Sequence, residues 1–105
     1  MLLEIKDNET TTDYFDYYLR NKKFIYLAIF ETFKGFTSKN NLDNLRLTIK
    51  VLAQNEKILI THYDFSFNDK YILNDLLMPY FIKENEFEIC EKIKITSKKL
   101  SQINR

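Results

Sequence analysis

The sequence is poor in the residues that build most chemical sites. Its 105 residues include one cysteine, one histidine, one glycine, one proline and no tryptophan. The single cysteine, Cys90, excludes an intrachain disulfide and is typical of a reducing compartment. The single glycine, Gly35, excludes the glycine-rich loops that hold phosphate groups. A zinc site built only from cysteine and histidine is excluded as well.

The few reactive side chains that remain form no catalytic motif. His62 and Cys90 could act together only if the fold brought them into contact, because no motif supplies either with a partner. The acidic segment KENEFEICE (83–91) lacks the glycine turn of a calcium-binding loop. We therefore expect a protein that is not an enzyme, with no catalytic residue, no cofactor and no bound metal.

Net charge and hydropathy limit the classes of partner and the cellular location that we expect for this protein. The formal net charge is +1, which gives no overall field to attract nucleic acid or an anionic membrane. The longest apolar run, FIYLAIF (24–30), is far shorter than the ~20 residues that span a bilayer. The N-terminal MLLEIKDNE does not resemble a signal peptide. The residue usage, rich in Asn, Lys, Ile, Phe and Tyr, is common in AT-rich bacterial and phage genes. We therefore expect the protein to act in the cytoplasm of a bacterial host cell.

Hydrophobic periodicity predicts a small α+β domain over residues 1–96, followed by a basic, frayed tail over 97–105. Segment 23–34 is apolar in every direction, and its aromatic and β-branched content favours a strand over a helix. Pro79 is expected to kink or end the second helix. The predicted elements are a short strand (2–5), a helix (13–21), a strand (23–34), a hairpin (45–52 and 58–67), a helix (69–83) and a strand (86–96). The predicted architecture is therefore helix, three-stranded antiparallel meander, helix and additional strand, with the helices on one face of the sheet.

The clearest pattern is the hairpin, in which LRLTIKVL (45–52) alternates strictly between apolar and polar residues. A turn at residues 55–57 would pair Val51 with Thr61 and Leu47 with Phe65, and would place Lys50 opposite His62. A slip of one residue would set Leu47 against Asp64. A slip of two residues keeps every side chain on its face and is tolerated.

The aromatic segment DYFDYYLR (13–20) predicts a helix with one buried and one exposed face. The residues expected in the core are Tyr14, Phe15, Tyr18 and Leu19. The residues expected on the surface are Asp13, Asp16, Tyr17 and Arg20. Tyrosine is favoured in protein interfaces, so this charged frame around one exposed tyrosine is the first candidate binding surface.

Two further surfaces could bind a partner. The second candidate is the polar face of the predicted sheet, which carries Arg46, Thr48, Lys50, His62 and Asp64. The third is a sheet edge, where an unpaired strand could form a homodimer. The membrane is not an expected partner.

The predicted order of elements resembles that of double-stranded-RNA-binding domains. Those domains carry a basic cluster at the start of the second helix, whereas FNDKYILND (67–75) places Lys70 between Asp69 and Asp75. A basic C-terminal stretch could still contact phosphate; it contains Lys92, Lys94, Lys98, Lys99 and Arg105. A similar order of elements occurs in some small phage-encoded inhibitors of bacterial defence nucleases, and toxin-immunity proteins are of similar size.

The expected function is therefore that of a small non-enzymatic binding protein with a protein partner. The class that fits is a phage or mobile-element inhibitor, such as an anti-CRISPR-like protein, or an immunity factor. One alternative is a nucleic-acid-associated module or regulator with double-stranded-RNA-binding-domain-like topology. The other alternative is a structural homo-oligomer component.

Overall fold

A computed structural model describes residues 1–6, 14–37, 44–53, 56 and 58–103, which form an α+β fold. The strands of this part of the chain are β1 (Leu2–Lys6), β2 (Asn44–Leu52) and β3 (Ile58–Ser66). The α-helices are α1 (Tyr14–Arg20), α2 (Lys22–Lys34), α3 (Met78–Lys83) and α4 (Phe87–Ser101). Shorter helical turns are 3₁₀ turns at Gly35–Thr37 and Phe67–Tyr71 and a π turn at Leu73–Leu77.

The sheet has three strands in the order β1-β2-β3, but it is not the predicted meander. β2 and β3 form the expected antiparallel hairpin, whereas β1 runs parallel to β2, with Leu3 beside Ile49 and Ile5 beside Val51. A parallel neighbour requires a long crossover connection. That connection contains α1 and α2, because the segment predicted as the first meander strand is helical.

The prediction of a strand at 23–34 is wrong, since these residues lie within α2. Seven of its side chains are buried: Ile25, Tyr26, Ala28, Ile29, Phe30, Thr32 and Phe33. A helix buried on most sides shows no amphipathic period, so the pattern alone did not separate helix from strand. The length of the run was the better guide, because most strands are shorter than the 13 residues of α2.

The hairpin has the predicted parity but a register shifted by two residues. Val51 pairs with Leu59, not Thr61, and Leu47 pairs with Tyr63, not Phe65. β2 ends at Leu52 and β3 begins at Ile58, so the connection is longer than the predicted three residues, and Glu56 within it has a φ of 64°. A shift of two leaves each side chain on the same face, so burial does not oppose it.

The second predicted helix begins earlier and continues through its proline. Helical structure starts at Phe67, where the Ser66 backbone N–H donates to Asp69 Oδ2 at 2.7 Å, so the predicted start at residue 69 was late. Pro79 lies in the first turn of α3, directly after the π turn. Proline is tolerated in a first turn because its missing N–H would have no partner there, so the helix does not end at Pro79.

The predicted last strand at 86–96 is also wrong, because these residues belong to α4. The buried positions Ile93, Thr96 and Leu100 recur at helical spacing. The predicted boundary at residue 97 falls inside this helix, and Leu100 is fully buried. The frayed-tail prediction therefore fails over 97–101, and residues 104 and 105 lie outside the described part of the chain.

The helices cover one face of the sheet, as predicted. Leu47, Ile49 and Val51 of β2 are fully buried beneath them. The aromatic side chains tie the layers together. The Phe33 ring of α2 packs at a tilt of 47° against the Phe65 ring of β3, with a centroid distance of 4.9 Å. The alternate side chains of β2 and β3 point to the other face, which no helix of the described chain covers.

Helix α1 presents the opposite face from the one predicted. Tyr17 is fully buried, whereas Phe15 and Leu19 are 64% and 53% exposed, and Tyr18 is half-buried. A seven-residue helix with aromatics on most sides has no decisive period. Its orientation is set by α2, which follows after Asn21, and Asn21 N donates to Tyr17 O at 3.0 Å. The proposed surface role of Tyr17 is therefore wrong.

The inverted orientation of α1 predicts opposite effects for two substitutions. Tyr17→Ala should lower the free energy of unfolding by roughly 3–5 kcal/mol, because it empties a large buried site. Leu19→Ala on the same helix should change it by less than about 0.5 kcal/mol, because that side chain is exposed. Urea denaturation followed by circular dichroism measures both. Similar destabilisation by the two variants would contradict this orientation.

Candidate functional site

An aromatic cleft opens between α1, α2, β3 and the π turn. Its volume is about 330 Å³, within the range of small binding clefts. The described side chains that line it are Phe15, Tyr18, Tyr26, Ile29, Tyr63 and Leu76. We refer to these six residues as the aromatic cleft. Three tyrosines among six lining residues give this site an apolar wall with polar tips.

The base of the aromatic cleft is held by contacts among tyrosines. The hydroxyl groups of Tyr18 and Tyr26 lie 2.6 Å apart and share a hydrogen bond. The Tyr26 ring meets Tyr80 of α3 edge to face, with centroids 4.7 Å apart. Helices α1, α2 and α3 are therefore fixed to one another at this point, which gives the cleft a rigid floor.

Burial controls the ionisation of these phenols. Burial, followed by the hydrogen bond shared with Tyr18, raises the pKa of Tyr26 well above its ordinary value. Burial and the nearby Glu84 carboxylate raise the pKa of Tyr80 in the same direction. Both phenols therefore stay neutral at physiological pH and add no charge to the site.

The rim of the aromatic cleft is apolar and faces solvent. Phe15 is 64% exposed and Leu76 is 42% exposed. Leu19, one turn after Phe15 on α1, adds a third exposed apolar side chain beside it. Lys22 Nζ lies 5.7 Å from the Tyr18 ring centroid and brings a positive charge to the site. Large apolar side chains grouped at the mouth of a cleft mark a binding surface more often than singly scattered ones.

The sequence missed the rim of this site. Phe15 and Leu19 were assigned to the core but are exposed, whereas Tyr18, also assigned to the core, is half-buried. Among the residues predicted to bind on α1, Tyr17 is buried and Arg20 is exposed. Asp13 and the side chain of Asp16 lie outside the described residues. No sequence signal distinguishes the rim, because it depends on how α1 is rotated against α2.

The predicted polar face of the sheet does exist, and it is the face without helices. Arg46 and Asp64 lie directly opposite each other, and Arg46 Nε donates to Asp64 Oδ1 at 2.7 Å. His62 Nδ1 lies 2.9 Å from Thr48 Oγ1. Lys50 is opposite Ile60, not His62, because of the register shift. The structure therefore brings the predicted residues onto one face but pairs them differently.

Arg46 and Asp64 form an ion pair on this face, and each shifts the pKa of the other. The hydrogen bond from Arg46 lowers the pKa of Asp64, and the same contact raises the pKa of Arg46. Both side chains are more than half exposed, so the pair contributes little to stability. Four apolar side chains share the face and are exposed as well: Leu2, Leu52, Ile58 and Ile60. This open face is thus a mixed surface of paired charges and single aliphatic groups.

The structure does not combine His62 with Cys90. Cys90 is half-buried on α4 and packs against the core, whereas His62 lies on the sheet face that points away from the helices. Within the described residues, no cluster of three or more His, Cys, Asp or Glu side chains could hold a metal ion. In the same part of the chain, no helix has the length and apolar character needed to cross a membrane.

Comparisons with protein-family models, with curated proteins and with solved structures found no match.

The buried tyrosine pair predicts a loss of stability at alkaline pH. The folded-state pKa of Tyr26 exceeds its unfolded value of about 10, so the unfolded chain loses this proton first. Stability is complete below pH ~10 and should fall above it, by up to about 1.4 kcal/mol per pH unit for this one group. Urea unfolding at several pH values measures the slope.

Two substitutions isolate the contribution of Tyr26. Tyr26→Phe should reduce the alkaline slope, because the titrating hydroxyl is gone. Tyr71→Phe is the matched control, since Tyr71 is 58% exposed and takes no part in the Tyr18–Tyr26 bond. Equal slopes for wild type and Tyr26→Phe would contradict the assignment.

Proposed function

We propose that this protein is a small non-enzymatic binding protein that engages a protein partner through the aromatic cleft. The observation that carries the proposal is the exposed apolar rim of Phe15, Leu19 and Leu76 around a rigid tyrosine floor. Rings and apolar side chains held in place before binding lose little conformational freedom when a partner covers them.

The size of the rim is sufficient to anchor an interface. Fully burying one large apolar side chain is worth roughly 1.5–3 kcal/mol. Covering Phe15 and its two apolar neighbours could therefore supply the central cluster on which protein interfaces depend. The phenol groups of the cleft would supply directional hydrogen bonds at its base.

The partner class that fits this rim is a protein with a protruding apolar side chain. A convex apolar group would enter the cleft, while Lys22 beside Tyr18 favours an acidic neighbour on the partner. Binding of this kind blocks a surface without any chemistry, which is how an inhibitor or an immunity factor acts.

Such a protein would belong to a phage or mobile element and would act in the cytoplasm of the bacterial host, as an anti-defence or anti-CRISPR-like inhibitor or as an immunity factor. The support for this finer assignment is the small near-neutral chain, its single half-buried cysteine and its residue usage. Inhibition by covering a partner's surface requires only a stable domain with one binding surface.

The test of the cleft compares two phenylalanines of equal exposure. Phe15 on the rim is 64% exposed, and Phe87 at the start of α4 is 63% exposed but does not line the cleft. Tagged protein would recover a partner from bacterial lysates, and calorimetry would measure its affinity for each variant. Phe15→Ala should weaken binding at least tenfold, whereas Phe87→Ala should change it less than about twofold.

Both variants should keep wild-type thermal unfolding, because both side chains are exposed. The proposal fails if no protein partner is recovered from several hosts. It also fails if Phe87→Ala weakens binding as strongly as Phe15→Ala does.

A nucleic-acid role is the second candidate, and α4 is the element that favours it. Four lysines of this helix are exposed: Lys92, Lys94, Lys98 and Lys99. Lys92 lies 3.8 Å from Glu88 and would have to leave this carboxylate in order to contact a phosphate. The described part of the chain does not have the predicted double-stranded-RNA-binding topology, because β1 runs parallel to β2 and the three strands form no meander. Filter binding at 50 mM and 200 mM salt decides this candidate, since phosphate contacts must weaken steeply with salt.

A further inference from the structure

β3 forms an edge of the described sheet and has no strand on its outer side. It is nine residues long, so its outer backbone groups form an extended row of donors and acceptors. Such a row is a template for adding another strand, and proteins usually protect it. The usual protections are lysine, proline, bulges, or a very short strand.

β3 carries none of these protections. Its sequence, ILITHYDFS, contains no lysine, arginine, proline or glycine. Its pairing with β2 is continuous from Ser66 to Ile58, so no bulge twists the edge away. The opposite edge differs, because β1 has only five residues and carries Glu4 and Lys6. Within the described sheet the two edges therefore differ, and β3 is the edge better suited to pairing.

We propose that β3 pairs antiparallel with β3 of a second copy of this chain, in a register that places Tyr63 on the two-fold axis. Antiparallel pairing of identical strands is isologous, so each contact occurs twice. In this register His62 lies opposite Asp64 of the second copy, and Thr61 lies opposite Phe65 of the second copy. The two sheets join into one sheet of six strands.

Hydrogen bonding across the axis and the length of the paired stretch select this register. The edge of β3 carries one carboxylate, Asp64, and one imidazole, His62. An axis at His62 would set Asp64 against Ile60, and an axis at Thr61 would set it against Ile58. An axis at Phe65 would set Asp64 against Ser66, but it would pair only residues 64–66 of the two strands. The axis at Tyr63 pairs residues 60–66 and gives Asp64 a hydrogen-bonding partner from the second copy, twice.

Contacts within one chain already orient the side chains of Asp64 and His62. Arg46 holds the Asp64 carboxylate in place, and a carboxylate can accept further hydrogen bonds beside that ion pair. His62 Nδ1 lies 2.9 Å from Thr48 Oγ1, which orients the ring and leaves Nε2 to donate across the interface. The partner that fits this edge is therefore the same chain, because it brings an imidazole opposite an acid at matched spacing.

The dimer also bears on the aromatic cleft. Tyr63 lines that cleft and lies on the axis, so the two clefts of the dimer would be neighbours. A partner could then meet two rims at once. The dimer itself does not depend on the proposed binding function, since it rests on the backbone and on His62 and Asp64.

Cysteine cross-linking tests the register, because a residue on a two-fold axis faces its own copy. Three variants are made in a Cys90→Ser background: Tyr63→Cys, Thr61→Cys and His62→Cys. Opposed residues in antiparallel strands lie within disulfide reach. Under mild oxidation Tyr63→Cys should form dimers at least tenfold faster than the other two. Faster cross-linking of Thr61→Cys or His62→Cys would overturn the register.

Sedimentation equilibrium of the unmodified chain tests the dimer itself. The expected species at high concentration has twice the 12.7 kDa chain mass. His62→Asp should weaken dimerisation at least tenfold, since it places two acids opposite each other. Ile58→Asp is the matched control on the same strand and face, outside the paired stretch, and should change it less than threefold. A monomer at several hundred micromolar, or equal effects of the two variants, would refute the proposal.

Discussion

Burial of α2 is the constraint on which the rest of this structure depends. The helix has seven buried side chains and contacts every layer of the domain. Phe33 reaches β3 through Phe65, and Tyr26 reaches α3 through Tyr80. The chain contains one glycine and one proline, so few positions allow the backbone to turn sharply. The other helices and the sheet are arranged so that this one apolar rod is covered on most sides.

Covering α2 has consequences for the surface. The helices of the described residues lie on one face of the sheet, and none of them covers the opposite face, which carries charged and aliphatic side chains. α1 contributes Tyr17 to the core, and that orientation turns Phe15 and Leu19 outward beside the tyrosines. The aromatic cleft is thus a consequence of the packing of Tyr17 into the core. The exposure of large apolar groups there is the reason that we propose it as the binding surface.

The sequence predicted some elements well and others wrongly, for one physical reason. β2 has one buried and one exposed face, so its side chains alternate and the hairpin follows from the pattern. α2 is apolar on nearly all sides and has no such signal. α4 does carry a helical period at Ile93, Thr96 and Leu100, but a local alternation around Phe87 and Ile89 concealed it. Correct parity and wrong register in the hairpin have a similar origin, since burial distinguishes faces but not shifts of two residues.

The candidate sites, too, divide into features that follow from the local sequence pattern and features that depend on tertiary packing. The sequence by itself determined the α+β class, the lack of disulfides and glycine loops, and a sheet face that collects Arg46, Lys50, His62 and Asp64. Those properties follow from composition and from side-chain alternation, which are local. Only the tertiary structure decided that Tyr17 is core and Phe15 is rim, that β1 lies parallel to β2, and that β3 is an edge. These depend on how α1 rotates against α2 and on which strands meet, because packing between distant segments, not local preference, supplies the free energy that chooses among them.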